Sequence, residues 1–366
     1  MAPRAPSYDG RGLVNLVAEI ERRLTGSAPL PGLAPELAAS LSEAATYVVV
    51  LFDGVGTHQL SHPAAGPLRE SLANTLEAPF ATTTTVSLAT IATGLAPAGH
   101  GVLGHLLWLP DIGKVVNTLK WVTPWGEQVD YDTGGLLPAP NLWERLRAAG
   151  REPITVQPGD FLDTPLTRAL YRGCRFEPGW SDDEIVTATV ELAAEPGRLI
   201  LTYLPPVDFA AHVWGQASPR YAEALASVAR AWERLVARLP DHALMVGTSD
   251  HGHVDYTEGD KILVRDHRFD SLRLAGDPRT VMAWGDPGLI EDMAGLTGAE
   301  LLGPERFRPL YGPGPDHPEL EARLPTAVLL APPGKLVLPR GFDKRLVGYH
   351  GGLDPAEVEI PLLVGR

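Results

Sequence analysis

Long runs of consecutive apolar, β-branched residues punctuate the chain. Three of them, Thr46–Phe52, Arg198–Leu204 and Ala243–Thr248, have the length of a sheet strand. Continuous apolar runs are typical of strands covered on both faces, as in parallel sheets. Residues 358–364 predict a closing strand.

Segments between these runs carry apolar residues at helical spacing. Residues 12–24 predict an opening helix. Ser181, followed by acidic residues, predicts a helix N-cap, and Pro219 predicts the first position of another helix. The alternation of helix and strand predicts an α/β fold with a mainly parallel central sheet and helices on both of its faces.

The pattern changes at 264–339. Short strand candidates at 280–284 and 327–330 are separated by helix candidates and by many glycines and prolines. We interpret this segment as a small α+β insertion that caps the site. The predicted division is therefore a catalytic α/β body at 1–263, the insertion at 264–339, and a return to the body at 340–366.

Composition narrows the class of protein. The 366 residues are 44% hydrophobic and 21% charged, which is typical of a globular protein. The single cysteine, Cys174, excludes an intramolecular disulfide and a cysteine-rich metal cluster, and it fits a reducing compartment. The sequence shows neither a secretory signal nor a run that could cross a bilayer, so we predict a cytoplasmic protein without a membrane partner.

The net charge of −14 argues against a nucleic-acid polymer as partner, because phosphate backbones are bound by basic surfaces. It leaves room for a small anionic substrate, since a bound divalent ion reverses the local sign of the charge. Nothing in the sequence indicates an oligomeric state.

An aspartate follows each of the three long runs: Asp53, Asp208 and Asp250. The carboxyl ends of parallel strands share one edge of a sheet, where ligands bind. Three carboxylates at that edge would repel one another unless cations lay between them. The sequence therefore predicts a metal site.

Histidines add nitrogen ligands to this set. His212 follows Asp208 by one helical turn, His251 is adjacent to Asp250, and His350 lies near the carboxyl end of the chain. Six oxygen and nitrogen ligands without sulfur suit two divalent ions such as zinc or manganese. Two ions about 4 Å apart clamp the attacking and leaving oxygens of a phosphoryl group.

The stretch at 81–100, ATTTTVSLATIATGLAPAGH, supplies hydroxyls without a carboxylate or a lysine. A hydroxyl at a metal is an activated nucleophile. Thr83, Thr84 and Thr85 all remain candidates on this argument. Residues 87–93 predict a helix whose amino end faces a phosphate.

These motifs resemble the alkaline phosphatase superfamily, and within it the type I phosphodiesterase/nucleotide pyrophosphatase family. The resemblance covers about 45–264 and 340–366, through VVLFDGVG, TTTTVSLATIATGLAPAGHGV, YLPPVDFAAHVWG, TSDHG and YHGGL. It implies an alkaline-phosphatase-like sheet and two bound divalent ions, with zinc favoured over manganese.

Carried over position by position, the resemblance implies two ligand sets. One zinc ion would be bound by Asp53, Thr84, Asp250 and His251. The other would be bound by Asp208, His212 and His350. Thr84 aligns with the nucleophile of the family.

Two departures concern the substrate. Ser87 stands where the nucleotide pyrophosphatases have an asparagine that supports a phosphate oxygen. Pro206, Val207 and Asp208 stand where the family has Glu-Pro-Asp, while Tyr203 remains available to line the substrate pocket. We therefore name Ser87 and Tyr203 as candidate substrate contacts.

The resulting prediction is a metal-dependent phosphodiester or pyrophosphate hydrolase that acts through a phosphothreonine intermediate on a small phosphorylated substrate, nucleotides included. A phosphomonoesterase on the same scaffold is the alternative, although it requires additional positive groups and no arginine lies close to Thr84 in the sequence. A non-catalytic binding protein is the third reading, and it would normally have lost part of the metal set. His253 follows the turn that carries Asp250 and His251, and it is a candidate to contact the metal ligands without binding the metal itself.

Overall fold

A seven-stranded sheet forms the centre of the protein in the computed structural model, which describes residues 4–365. The strands are, in chain order, β1 (Thr46–Phe52), β2 (Leu72–Glu77), β3 (Leu106–Leu109), β4 (Lys114–Asn117), β5 (Glu152–Pro158), β6 (Arg175–Gly179), β7 (Arg198–Leu204), β8 (Ala243–Thr248), β9 (Val254–Asp255), β10 (Lys261–Leu263), β11 (Arg273–Asp277), β12 (Thr280–Trp284), β13 (Glu300–Leu302), β14 (Ala327–Leu330), β15 (Leu336–Leu338), β16 (Gly348–Tyr349) and β17 (Glu359–Gly365).

Helices connect most of these strands. They are α1 (Leu13–Thr25), α2 (Pro35–Ala38), α3 (Gly66–Glu70), α4 (Thr84–Thr93), α5 (Pro97–His100), α6 (Leu142–Ala148), α7 (Pro165–Leu170), α8 (Asp182–Ala193), α9 (Pro206–Trp214), α10 (Pro219–Arg238), α11 (Pro287–Thr297), α12 (Pro304–Phe307), α13 (Leu320–Arg323) and α14 (Pro355–Val358). Among these described helices, none combines the length and the apolar composition needed to cross a bilayer.

The central sheet is mostly parallel. Its strand order is β2-β17-β8-β1-β7-β5-β6, and the five strands from β8 to β6 run parallel to one another. The strand β17 pairs antiparallel with both β8 and β2. The predicted α/β class with a mainly parallel sheet is confirmed.

The strand β1 shows why the apolar runs are continuous. Tyr47, Val49 and Leu51 pack on one side of the sheet in the same cluster as α1, α4 and α6. Val48 and Val50 pack on the other side with α8, α9 and α10. Because both faces are covered by helices, the strand is continuously apolar from Tyr47 to Phe52.

A second, six-stranded sheet lies beside the first, in the order β13-β14-β12-β11-β3-β4. All of its neighbouring strands are antiparallel. Four of them come from the predicted insertion at 264–339, and the hairpin β3–β4 comes from the segment before it. The second sheet thus combines the insertion with an earlier part of the chain, and the three-part domain division remains a prediction.

Candidate metal centre and nucleophile

The carboxyl edge of the central sheet brings the three aspartates together. Asp53 follows β1 and Asp250 follows the neighbouring strand β8, while Asp208 lies in the first turn of α9, directly after β7. The backbone N–H of Gly54 donates to Asp250 Oδ1 at 3.0 Å, which ties the two strand ends to each other.

Four predicted ligands form what we call the first cluster: Asp53, Thr84, Asp250 and His251. The Nε2 atom of His251 lies 3.1 Å from Thr84 Oγ1, 3.3 Å from Asp250 Oδ2 and 3.6 Å from Asp53 Oδ1. All four side chains are buried. The family resemblance implies these residues as one ligand set, and the structure brings them together.

The remaining three predicted ligands, Asp208, His212 and His350, form the second cluster. His212 Nε2 lies 3.4 Å from Asp208 Oδ1 and 3.2 Å from His350 Nε2. His350 Nε2 is 4.0 Å from Asp208 Oδ1. His253 also reaches this cluster, with its Nε2 2.6 Å from Asp208 Oδ1.

The orientation of the histidine rings suits metal binding. His212 Nδ1 donates to the Gly348 carbonyl at 2.7 Å, and His350 Nδ1 donates to the Thr82 carbonyl at 2.8 Å. Since a carbonyl only accepts, the proton of each ring lies on Nδ1 and the Nε2 lone pair faces the cluster. Metal-binding histidines are oriented in this way by their surroundings.

The first cluster carries more negative charge than its surroundings can satisfy. Burial, together with the charges of Asp208 and Asp250, raises the pKa of Asp53 well above its usual value. Asp53 Oδ1 and Asp250 Oδ2 are buried and have no hydrogen-bond partner among residues 4–365. A divalent cation between these oxygens would satisfy both of them, so the residues fit a metal ion.

In the second cluster, neighbouring histidines offset the negative charge of the aspartate. Burial by itself would raise the pKa of Asp208, but His212 and the hydrogen bond from His253 hold that pKa well below its usual value. Burial and the neighbouring ring of His251 lower the pKa of His350 well below its usual value. An ionised aspartate and a neutral imidazole are the states in which these side chains bind a metal.

The nucleophile candidate lies at the amino end of α4. This helix begins at Thr84 rather than at 87, with Thr83 as its N-cap residue. The first N–H groups of a helix have no partner within it and attract anions. Thr84 therefore presents both its hydroxyl and its backbone N–H at this point.

The neighbouring hydroxyls differ from that of Thr84. Thr84 is 7% exposed, whereas Thr83 and Thr85 are each 1% exposed. The Thr85 hydroxyl is buried without a hydrogen-bond partner among the described residues. The contact with His251 thus distinguishes Thr84 from Thr85.

Ser87 and Tyr203 contact ligand residues. The Ser87 hydroxyl donates to the backbone carbonyl of Asp250 at 2.7 Å. The Tyr203 hydroxyl donates to Asp53 Oδ2, and burial followed by the charge of Asp53 raises the pKa of Tyr203 well above its usual value. Both side chains position the first cluster in the structure, and their contact with a substrate remains a prediction.

Residues that sequence reasoning missed hold the loop that carries His350. Thr280 Oγ1 donates to the Gly351 carbonyl at 2.6 Å, and Thr82 Oγ1 donates to the Gly352 carbonyl at 3.0 Å. Glu357 Oε1 accepts from the Gly352 N–H at 3.1 Å. A buried threonine far away in the chain carries no local signal of such a contact.

Comparison with known proteins places the chain in a family. The family model described as type I phosphodiesterase / nucleotide pyrophosphatase matches residues 47–286. This range includes Asp53, Thr84, Asp208, His212 and the Asp250–His251 pair. No curated protein sequence matches the chain significantly.

Several solved structures share the fold. Murine ectonucleotide pyrophosphatase / phosphodiesterase 5 has 20% sequence identity and a TM-score of 0.63, over 87% of each chain. An inactive threonine-to-alanine variant of that murine protein, in complex with AMP, has 19% identity and a TM-score of 0.64, again over 87% of each chain. Phosphonoacetate hydrolase from Sinorhizobium meliloti 1021, in complex with phosphonoformate, has 20% identity and a TM-score of 0.65, over 87% of this chain and 89% of that one.

Proposed function

Because the chain belongs to the type I phosphodiesterase/nucleotide pyrophosphatase family and is a phosphoester hydrolase, we propose that it cleaves small phosphodiesters or pyrophosphates with Thr84 as nucleophile. Two divalent ions would be held by the first and second clusters. The substrate class includes nucleotides, and the AMP complex of the murine structure supports a ligand of this kind. Zinc as the metal and the cytoplasmic location remain predictions from the sequence.

One observation carries the proposal. Thr84 Oγ1 lies 3.1 Å from His251 Nε2, beside two buried carboxylate oxygens that lack a hydrogen-bond partner within residues 4–365. A hydroxyl with no metal nearby would be a poor nucleophile in this surrounding. The inactive threonine-to-alanine variant among the similar structures supports a threonine in this role.

The reaction has two displacements. When bound, the divalent ions would lower the pKa of a hydroxyl and neutralise charge on the attacking and leaving oxygens. Thr84 Oγ1 loses its proton and forms a bond to phosphorus, while the bond from phosphorus to the leaving oxygen breaks and that oxygen takes up a proton. Water then attacks the phosphothreonine, the bond to Oγ1 breaks, and Thr84 is restored.

The chain also provides donors for the phosphoryl group. The N–H groups at the start of α4 point along the helix axis toward its amino end, where they can bind a non-bridging oxygen. The hydroxyl of Ser87 already donates its hydrogen bond to the Asp250 carbonyl and is therefore not free to donate to a phosphate oxygen. We therefore assign this oxygen to the backbone donors of the helix rather than to Ser87.

Two features favour a diester over a monoester. Among the hydrogen bonds and ion pairs of residues 4–365, no lysine or arginine contacts a residue of either cluster, whereas the extra charge of a monoester calls for additional positive groups. On α9, the helix that carries Asp208 and His212, Phe209 is 59% exposed and Trp214 is 40% exposed. This apolar surface suits the organic group of a diester.

The test is Thr84→Ala. We expect hydrolysis of bis-p-nitrophenyl phosphate to fall at least about 1000-fold, because the variant lacks the attacking oxygen. Metal content, measured by mass spectrometry of the purified protein, should remain near the wild-type value because six ligands are left. Parallel rates on p-nitrophenyl phosphate measure the preference between diester and monoester.

Thr85→Val is the matched control. It removes the neighbouring hydroxyl, which has no hydrogen-bond partner among the described residues, and keeps the size of the side chain and the backbone N–H. We expect activity within a few-fold of wild type. Near wild-type activity of Thr84→Ala, or a collapse in Thr85→Val alone, would remove Thr84 from the nucleophile role.

A further inference from the structure

His253 lies against the second cluster without belonging to the ligand sets that the sequence motifs imply. Its side chain is buried, and its Nε2 lies 2.6 Å from Asp208 Oδ1. We propose that His253 is a positioning residue, whose Nε2–H donates a hydrogen bond to Asp208 and so sets the metal affinity of the second cluster. This inference rests on the proposed metal function of that cluster.

Distance separates a hydrogen bond from shared metal ligation. Two ligands bound to one tetrahedral zinc at about 2.0 Å lie about 3.3 Å apart. The pairs His212–Asp208 and His212–His350 have this spacing, at 3.4 Å and 3.2 Å. The 2.6 Å between His253 and Asp208 is too short for two ligands of one ion and fits a charge-assisted hydrogen bond.

The fold builds a pocket for this ring. A Cβ atom at Gly54 would lie 2.8 Å from His253 Cδ2, and one at Gly348 would lie 3.0 Å from His253 Nδ1. Both glycines therefore leave space that the imidazole needs. On a third side the ring packs edge-on against His212, with 4.7 Å between the ring centroids.

The backbone and the tautomer of His253 are also determined. The carbonyl of His253 accepts from Gln59 Nε2 at 2.9 Å and from Gln216 Nε2 at 3.3 Å. The Nδ1 atom is buried without a hydrogen-bond partner within residues 4–365. A proton on Nε2 gives Asp208 its donor and leaves Nδ1 as the unprotonated nitrogen.

A donor on Oδ1 fixes the rotation of the Asp208 carboxylate before a metal arrives. Residues that hold a ligand in this way typically contribute about 10–100-fold to metal affinity. Among the described residues, the Nε2 of His253 bonds only to Asp208, so no hydrogen bond joins it to the first cluster. Loss of His253 should therefore weaken one metal position selectively.

The experiment compares His253→Ala with His253→Gln in the full chain. Zinc stoichiometry is measured by mass spectrometry across chelator-buffered zinc concentrations, and the visible absorption of the cobalt(II) protein reports ligand geometry. We expect His253→Ala to need about 10–100-fold more free zinc for its second ion while it retains the first. His253→Gln should restore most of that affinity, because its amide also offers an N–H donor.

His267→Ala is the control, because His267 is 81% exposed and pairs with Asp270 away from both clusters. If His253→Ala does not fold, His253→Gln is compared with wild type instead. We then expect this variant to bind two ions, with a cobalt(II) absorption spectrum shifted from that of the wild type. Wild-type affinity for both ions in His253→Ala, or equal loss of both ions, overturns the proposal. A wild-type protein that binds only one ion would instead contradict the proposed function.

Discussion

Asp277 is a buried carboxyl group outside the two clusters. It is 4% exposed, and its Oδ2 accepts from the backbone N–H of His105 at 3.3 Å. Burial raises the pKa of Asp277 from 3.8 to about 7. In the folded protein this carboxyl is therefore neutral at acidic pH and becomes charged near neutrality.

This shift predicts a pH-dependent stability. Between pH 3.8 and about 7 the unfolded state releases the Asp277 proton while the folded state keeps it, so stability falls as pH rises. The full loss is up to about 4 kcal/mol above pH 7, at about 1.4 kcal/mol for each pKa unit. Asp277→Asn should lack this loss, so its advantage over wild type in urea unfolding should be larger at pH 8 than at pH 5. An equal difference at both values of pH would contradict the assignment.

At the scale of elements, the second sheet helps to place the second cluster. The turn between β11 and β12 carries Arg279, whose Nε lies 3.2 Å from Glu357 Oε1. Glu357 in turn accepts from the backbone of Gly352, two residues after His350. Together with Thr280, this pair joins the antiparallel sheet to the loop that supplies a metal ligand.

Breaking the pair should destabilise the protein strongly. Arg279 is 4% exposed and Glu357 is 0% exposed, so Arg279→Met leaves a buried charge without its partner. We expect a loss of about 3–5 kcal/mol in the free energy of unfolding, measured with denaturant. The control is Arg268→Met, which removes an exposed pair with Asp292 and should cost less than about 1 kcal/mol. Similar losses in the two variants would argue against the buried pair as a connection between the sheets.

Elements with a strong local pattern were predictable from the sequence. The strands β1, β7 and β8 have the predicted bounds because continuous apolar runs need cover on both faces. The edge strand β2 was missed, since its first residues are exposed and its partner β17 lies far along the chain. The same reason hid the joining of β3 to β11, which depends on a contact between distant segments.

In the site, too, features with a local sequence pattern were predictable and those that depend on distant contacts were not. Aspartates at strand ends were predictable because parallel strands share an edge. His350 joined the predicted ligands as a histidine near the carboxyl end of the chain. Its assignment to the same ion as His212 needed the family resemblance, since no local pattern links the two residues. The contact between His253 and Asp208 depends on how β8 and α9 pack, and that information is tertiary.

For the whole molecule, the metal ions should contribute to stability. Without cations, the buried oxygens of Asp53 and Asp250 repel each other in a protein with a net charge of −14. Removal of metal with a chelator should lower the melting temperature by several degrees, and added zinc should restore it. Zinc at a free concentration 1000-fold above Kd should raise the free energy of unfolding by about 4 kcal/mol.

Asp53→Asn separates the two effects on melting. It removes one of the repelling charges, so the metal-free variant should melt above the metal-free wild type. It also removes a ligand, so the rise on addition of zinc should shrink. A metal-free variant that melts below the metal-free wild type would contradict this account of the first cluster.

The strand β17 is the last strand of the chain to be synthesised, and this affects the order in which the two clusters form. A ribosome synthesises about 5–20 residues per second, so Asp53, Thr84, Asp250 and His251 exist for several seconds before His350, which follows Asp250 by 100 positions, is made. The parallel neighbours β1, β7 and β8 can associate in that interval, while the place of β17 beside β8 stays vacant. The first cluster would thus be available to a metal in the nascent chain, and the second only after the late segment has docked, which orders the two loading events in time.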